Sequence, residues 1–229
     1  MQKIEGKRSL LLTGALLCFL ATAACANPAA STILIPGMDA NDIPAASKAE
    51  KLQTVDIGSG TTILGPAEAT EEQMIRYILE QNPNPQLNCT VEELVGYYYQ
   101  EGGSEGVRPD VALCQAIKET GCFAYGGDVV PAQNNYCGLG ATGHGQPGAY
   151  FATPQRGVRA HIQHLLCYAT TRLPRQAILD PRYEVLRIKY PKFYGAIPYW
   201  TGLNGKWAVP GKHYGQDIIA MWQKAKSLS

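Results

Sequence analysis

The feature that most constrains the fold is a glycine-rich segment, residues 123–143, that interrupts a series of helical patterns. It contains Pro131 and two adjacent asparagines, and these residue types are typical of turns and loops rather than helices. The helix predicted before this segment ends at Gly121, and helical periodicity resumes only at residues 156–168. A small irregular or β lobe is therefore expected after the third helix, and we predict an α+β fold dominated by helices.

Capping signals predict where the helices begin. Thr70 and Thr90 are each followed three residues later by Gln or Glu, which is the pattern of a capping box. The helix that starts at Thr90 is predicted to stop at residues 102–103, a Gly-Gly pair, because glycine is unfavourable inside a helix. Pro109 suits the first turn of the third helix, and a last helix is predicted over residues 214–226.

The first 26 residues have the layout of a signal peptide. Three basic residues precede an apolar run from Leu10 to Leu20, and an Ala-Cys-Ala sequence ends at Ala26. We therefore predict cleavage after Ala26 and export to the cell envelope, as a periplasmic, wall-associated or secreted protein. A lipoprotein anchored through Cys25 is the less favoured alternative, because Thr22 stands where a lipobox normally has Leu, Val or Ile.

The predicted mature chain has a low-complexity segment followed by one folded domain. Residues 27–69 are rich in Ala, Ser, Thr, Gly and Pro, which predicts a flexible tether, and the folded domain is expected over residues 70–229. Export favours disulfide bonds, but buried unpaired thiols explain equally well the five cysteines that remain after cleavage at Ala26. These cysteines are Cys89, Cys114, Cys122, Cys137 and Cys167.

Charge is distributed unevenly along a chain whose formal net charge is only +1. Residues 27–110 hold 13 acidic and 4 basic residues, whereas residues 156–229 hold 12 basic and 3 acidic ones. The near-neutral total therefore says little about partners. We predict that the basic half faces an anionic polymer with weak, salt-sensitive attraction.

Glu119 is the first candidate for a catalytic residue. It lies in the last turn of the third helix, two residues before Gly121, where the partial negative charge of the helix end raises the pKa of a carboxyl. Phe123 and Tyr125 follow closely and can desolvate the carboxyl further. A carboxyl that stays protonated near neutral pH is the general acid that glycoside cleavage requires. Position alone also fits an exposed glutamate without a function.

A series of short segments, in a fixed order, makes the catalytic interpretation specific. They are EGGSEGVRPDVA (101–112), QAIKETG (115–121), GGD (126–128), QNNY (133–136), GLGATG (138–143), GVRAHIQHL (157–165), GKWAVPG (205–211) and YGQ (214–216). Together they resemble the bacterial glucosaminidase domain of glycoside hydrolase family 73, and the resemblance runs from about Thr70 to Lys226.

The resemblance implies a lysozyme-like α+β fold and an endo-β-N-acetylglucosaminidase that hydrolyses the β-1,4 bond after N-acetylglucosamine in peptidoglycan. Glu119 falls where this family carries its catalytic acid. Many members use a second acidic residue from the β lobe, but residues 129–179 contain no Asp or Glu. Either Asp128 activates a water molecule, or the substrate's own N-acetyl group is the nucleophile; both alternatives stay open.

The resemblance also suggests side chains that border the substrate cleft. These candidates are Asn135, Tyr136, Trp207 and Tyr214, and the two ring types suit stacking on sugars. His161 and His164 are spaced as a pair on one helix face, but no third ligand accompanies them, so we predict no metal site and no cofactor. A thiol enzyme is disfavoured because Cys114 lies on the apolar face of its helix.

The expected partner is the glycan strand of peptidoglycan, bound by a monomer without nucleic acid and without a stable membrane span. Two rival functions remain. A lytic transglycosylase of similar fold forms an anhydro product without water, and a wall-binding module keeps the fold without turnover.

Overall fold

The computed structural model describes residues 60–141, 147–208 and 211–229. The predicted signal peptide, Cys25 and most of the predicted tether lie outside these ranges. The α-helices are α1 (Glu71–Gln81), α2 (Val91–Glu105), α3 (Pro109–Glu119), α4 (Pro154–Ala169), α5 (Tyr183–Lys189) and α6 (Tyr214–Lys226). Short 3-10 helices lie at Pro131–Gln133 and Trp200–Leu203. None of the helices in the described ranges has both the length and the apolar character needed to cross a membrane.

Both predicted capping boxes are present. In α1 the Thr70 hydroxyl accepts a hydrogen bond from the Gln73 N–H at 3.2 Å, and the Gln73 side chain accepts one from the Thr70 N–H at 2.9 Å. Thr90 and Glu93 form the same reciprocal pair at the start of α2. Because these bonds satisfy backbone N–H groups that have no partner within a helix, they fix where the two helices begin.

The predicted end of α2 at the Gly-Gly pair is wrong. The helix continues to Glu105 and is capped by Gly106, which adopts a left-handed conformation with φ of 69°. Gly102 serves packing instead, since a Cβ at this position would lie 2.8 Å from the carbonyl oxygen of Val107. The chain after the helix folds back against a site where no side chain fits.

The folded domain begins before residue 70. Ile63 is fully buried, and the Asp110 carboxylate at the start of α3 accepts hydrogen bonds from the N–H groups of Glu68 and Ala69 at 2.8 and 2.9 Å. The same carboxylate accepts a bond from Trp222 Nε1 of α6 at 2.7 Å. The tether predicted for residues 27–69 therefore does not extend to Ala69, because the chain from residue 60 onward is packed against the domain.

Helix α3 lies at the centre of the molecule. All its residues from Pro109 to Ile117 are buried, and α1, α2, α4 and α6 all pack against it. A helix buried on every side is held by its neighbours rather than by its own propensity. The last residue of this helix is Glu119, so the core fixes the position of the candidate acid.

The lobe between α3 and α4 contains no β-strand in its described residues, so the predicted β part is not confirmed. Side-chain amides replace strand pairing there. Asn135 donates to the carbonyls of Leu139 and Ala149 at 2.9 and 3.2 Å and accepts a bond from the Leu139 N–H at 2.9 Å. The neighbouring Asn134 donates to the Phe151 carbonyl at 2.9 Å. These bonds close the loops without a ladder of backbone hydrogen bonds.

Close packing explains two glycines of the family-like segments, Gly157 in residues 157–165 and Gly215 in residues 214–216. A Cβ at Gly157 of α4 would lie 1.8 Å from the Asn134 carbonyl oxygen, so this glycine lets the lobe dock on the helix. A Cβ at Gly215 of α6 would lie 2.3 Å from the Trp200 carbonyl oxygen. Gly215 thereby allows Tyr214, the first residue of α6, to reach the end of α3.

Candidate active site

The carboxyl group of Glu119 lies between side chains from two other parts of the chain. The Tyr214 hydroxyl, at the start of α6, donates a hydrogen bond to Glu119 Oε1. The Trp207 side chain forms a second hydrogen bond with the same carboxyl. Glu119 as a residue is nevertheless exposed to solvent. The carboxyl is thus surrounded by protein, while Glu119 as a whole keeps contact with solvent.

Burial of the carboxyl is the main influence on its acidity. It raises the pKa of Glu119 from 4.5 to about 7. The hydrogen bond from Tyr214, the positive charge of Lys118 and the hydrogen bond from Trp207 each lower the pKa, and together they offset only part of the effect of burial. Near neutral pH a large fraction of Glu119 is therefore protonated and able to donate a proton.

Aromatic rings form one wall of the site. The rings of Trp207 and Tyr214 are stacked, with centroids 6.5 Å apart and planes 14° from parallel. Trp207 also contacts the rings of His161, His164 and Tyr168 of α4, at centroid distances of 5.9, 5.0 and 5.8 Å. Because α4 holds Trp207 on one side, the indole keeps a fixed orientation beside Glu119.

A chain of hydrogen bonds leads from Tyr214 into the core. Gln115 Nε2 donates to the Tyr214 hydroxyl at 2.7 Å, and Gln115 Oε1 lies 2.9 Å from His161 Nε2. At the far end the Tyr98 hydroxyl lies 2.9 Å from His161 Nδ1. Burial, with a smaller contribution from His164, lowers the pKa of His161 to about 3, so this imidazole is neutral at neutral pH.

The structure brings together three of the six side chains that the sequence predicted for the site. Trp207 and Tyr214 both contact the Glu119 carboxyl and stack on each other, and Tyr214 is only 4% exposed.

Asn135 and Tyr136, the two lobe residues predicted to border the substrate cleft, are both buried in the structure. Asn135 is 1% exposed, and its amide is used within the lobe. Tyr136 is also 1% exposed and packs edge-on against the rings of Tyr98 and Phe123 in the core. The loops of the lobe hold the Asn135 amide, and the aromatic core holds the Tyr136 ring.

Asp128 lies in an exposed turn of the lobe, directly after Gly126 and Gly127. Gly126 has a φ of 109°, a conformation that favours glycine. The groups that set the pKa of Glu119 are its burial, Tyr214, Lys118 and Trp207, and Asp128 is not among them.

The two histidines of α4 have hydrogen-bonding partners. His161 lies between Tyr98 and Gln115, and His164 Nδ1 lies 2.8 Å from Asp180 Oδ2. Within the described residues no group of three or more His, Cys, Asp or Glu side chains is arranged to hold a metal ion.

No disulfide bond joins the five cysteines within the described residues, and three of the five are buried. Burial holds the pKa of both Cys114 and Cys137 well above the usual thiol value, so neither is activated as a nucleophile.

Sequence reasoning missed Gln115 as part of the site. A signal was available, because Gln115 precedes Glu119 by four residues and the two side chains therefore share one face of α3. His161 carried no comparable signal toward Glu119, since only the packing of α4 against α2 and α3 brings it to Gln115.

The glucosaminidase family model, described as mannosyl-glycoprotein endo-beta-N-acetylglucosaminidase, matches residues 95–227, which is more than half of the chain. The chain belongs to the glucosaminidase family. The matched range covers α3, α4 and α6 in full, and with them every residue of the site described above.

One relative is a protein of Borreliella burgdorferi (strain ATCC 35210 / DSM 4680 / CIP 102532 / B31) that is described as uncharacterized. It is 34% identical over 137 residues, which is 60% of this chain and 64% of the relative. This chain thus aligns with less than two thirds of the relative's length. No solved structure matches the chain.

Proposed function

We propose that this glucosaminidase domain is a peptidoglycan hydrolase that cleaves the β-1,4 bond after N-acetylglucosamine, with Glu119 as the general acid. The observation that carries the proposal is the solvent-accessible Glu119 at the end of α3, which accepts a hydrogen bond from Tyr214 and whose pKa is raised to about 7, in a glucosaminidase family domain. Family membership supports a peptidoglycan hydrolase in general. The specific bond and the role of Glu119 are our inference from the chemistry of the residues around its carboxyl.

In the proposed reaction, Glu119 delivers its proton to the glycosidic oxygen as the C1–O bond breaks and positive charge develops at C1. The carbonyl oxygen of the substrate's N-acetyl group attacks C1 and forms a cyclic oxazolinium intermediate. Water then opens this ring at C1, and the Glu119 carboxylate takes up the proton that the water loses. Trp207, half-buried beside the carboxyl, provides a flat surface for a sugar ring.

Mass analysis of the products tests the reaction. Purified cell walls digested with the protein are expected to yield fragments whose masses include one added water per bond, with N-acetylglucosamine at the new reducing end. Anhydro products without water would instead identify a lytic transglycosylase. If the wild-type protein releases no fragments at all, the enzyme proposal fails and a wall-binding module remains.

The choice of nucleophile is tested by Asp128→Asn. We expect turnover to stay within about threefold of wild type, because Asp128 lies in an exposed turn and the N-acetyl route needs no second carboxylate. The rate at which a wall suspension clears measures this. Loss of wall lysis in a folded Asp128→Asn protein would show that Asp128 is the base that activates water.

The activity is expected to fall as the pH rises through about 7. Because the general acid must be protonated, kcat should be constant well below that pH and decline about tenfold per unit well above it. Lys118→Met tests this assignment directly. The Lys118 charge lowers the pKa of Glu119, so its removal should move the decline of kcat to higher pH. An unchanged profile in Lys118→Met, or activity that rises with pH, would contradict the assignment.

A further inference from the structure

The hydrogen bonds behind Glu119 all run in one direction. Gln115 Oε1 is an acceptor, so the His161 Nε2 that faces it at 2.9 Å must carry the ring's N–H. The neutral imidazole then has an acceptor at Nδ1, and the Tyr98 hydroxyl 2.9 Å away must donate to it. Gln115 and His161 therefore each donate one hydrogen bond of the chain and accept another.

The orientation of Gln115 decides what Tyr214 does. Its Nε2 donates to the Tyr214 oxygen at 2.7 Å, which leaves the single hydroxyl hydrogen of Tyr214 for Glu119 Oε1. If the Gln115 amide were rotated by 180°, Tyr214 would donate to Gln115 instead of Glu119. While the His161 N–H is on Nε2, this rotation is unfavourable, because it would bring the Gln115 NH₂ group against another donor.

We propose that Tyr98, His161 and Gln115 act as positioning residues, which hold the Tyr214 O–H on Glu119 Oε1 and thereby keep the reactive proton of Glu119 on Oε2. In a protonated carboxyl the carbonyl-type oxygen is the better acceptor, so a donor fixed at Oε1 places the proton on the other oxygen. This inference rests on the proposed function, since it assigns these residues a role in proton donation by Glu119.

Burial makes the chain rigid. Gln115 and His161 are fully buried, and Tyr98 is fully buried in the core. Three helices contribute to it, with Tyr98 on α2, Gln115 on α3 and His161 on α4. A buried hydrogen-bonded network with every polar atom satisfied is stiff, because breaking any single bond leaves a polar group without water.

Other titratable groups surround the two ends of the chain. Those that influence or contact Glu119, Tyr214 and His161 are Lys118 of α3, Cys137 of the lobe, His164 of α4 and Asp217 of α6, the last through its ion pair with Lys118 at 2.9 Å. None of them lies on the hydrogen-bonded path from Tyr98 to Glu119, so substitutions along that path leave these charges in place.

The test uses Gln115→Met, which keeps the size of the side chain and removes both of its hydrogen bonds. Without the donor from Gln115, Tyr214 is no longer held toward Glu119, and the bond that lowers the pKa of Glu119 weakens. We expect kcat to fall about tenfold with KM within about twofold, and the decline of activity at high pH to move to higher pH. Tyr98→Phe, one bond further away, should shift kcat and the profile in the same direction by less, about threefold in kcat.

Tyr136→Phe is the matched control. Tyr136 is a core tyrosine in edge-on contact with Tyr98, and its hydroxyl has no hydrogen-bond partner among the described residues. Its loss should leave kcat and the pH profile unchanged. If Tyr136→Phe produces the same change as Tyr98→Phe, or if folded Gln115→Met keeps the wild-type kcat and profile, the positioning role is wrong.

A second measurement separates this inference from the proposed function. Titration of the Glu119 carboxyl by 13C NMR reports its pKa without requiring turnover. A rise of that pKa in Gln115→Met supports the positioning role even if the wild-type protein cleaves no walls, in which case only the proposed function fails. Wall cleavage by wild type with an unchanged Glu119 pKa in Gln115→Met overturns the positioning role alone.

Discussion

Glu119→Gln is expected to reduce the turnover of cell walls by about 10³-fold, while the protein stays folded. Glutamine keeps the size of the side chain and its bond from Tyr214, but it cannot donate a proton to the glycosidic oxygen, and general acid catalysis is worth roughly 10²- to 10⁴-fold. A zymogram with embedded walls and the initial rate of clearing in solution measure the effect. Glu184→Gln, an exposed glutamate of α5, is the matched control and should retain wild-type activity.

The same variant is expected to gain stability at alkaline pH. Because the folded state raises the pKa of Glu119 from 4.5 to about 7, the native protein holds this proton more tightly than the unfolded chain, and stability is lost as the pH rises across that interval. Glutamine carries no charge and avoids that loss. Since Glu119 is exposed to screening solvent, we expect a gain of only about 1 kcal/mol at pH 8.

Urea unfolding of wild type and Glu119→Gln at pH 5 and pH 8 provides the check. The two proteins should differ little at pH 5, where the carboxyl is protonated in the native state. A Glu119→Gln variant that still clears walls would disprove the catalytic assignment. Loss of activity together with a lower stability at pH 8 would attribute the effect to misfolding.

Arg159→Leu is expected to lower the free energy of unfolding by about 3 to 5 kcal/mol. Arg159 of α4 donates two hydrogen bonds of 2.9 Å to the carboxylate of Glu101 on α2, and Glu101 is only 1% exposed. Removing the guanidinium leaves a buried carboxylate without its counter-charge, which Gln155 and Gln176 only partly compensate through hydrogen bonds of 2.8 and 3.2 Å. The urea midpoint at pH 7 measures the loss.

An exposed ion pair supplies the comparison. Arg187 and Glu184 of α5 are bridged at 2.6 Å with side chains 45% and 54% exposed, and Arg187→Leu should cost less than about 1 kcal/mol. Glu101→Leu combined with Arg159→Leu should recover part of the stability lost in Arg159→Leu, because no unpaired charge remains. Equal losses in the two arginine variants would mean that burial of Glu101 is not what makes its ion pair important.

Local sequence patterns predicted where helices begin more reliably than they predicted features that depend on tertiary contacts. The capping boxes at Thr70 and Thr90 are present because an N-cap depends on residues only three apart. The end of α2 was misjudged because Gly102 is explained by contact with Val107, and such a contact is not visible in the helix's own sequence. The start of the folded domain was predicted too late for the same reason. Glu68 and Ala69 are held by hydrogen bonds to Asp110, which is about 40 residues further along the chain.

The candidate site also has parts that the local sequence predicts and parts that depend on contacts between distant residues. Position at the end of a helix and the resemblance in the surrounding segments were enough to single out Glu119. The aromatic candidates differ in where they lie. Tyr136 is buried in the core, whereas Trp207 lies beside the Glu119 carboxyl. Rings of the same type occur in both environments, so the sequence could not assign them.

The amino-acid sequence by itself determined the helical character of this domain, its capping residues and its candidate acid, because each depends on neighbours a few positions away or on a run of short segments. Only the tertiary structure decided what surrounds that acid. Tyr214 and Gln115 are 99 residues apart, and Tyr98 and His161 are 63 apart, yet each pair is joined by a hydrogen bond. The acidity of Glu119 is set by burial and by such contacts, and both arise only when the helices pack.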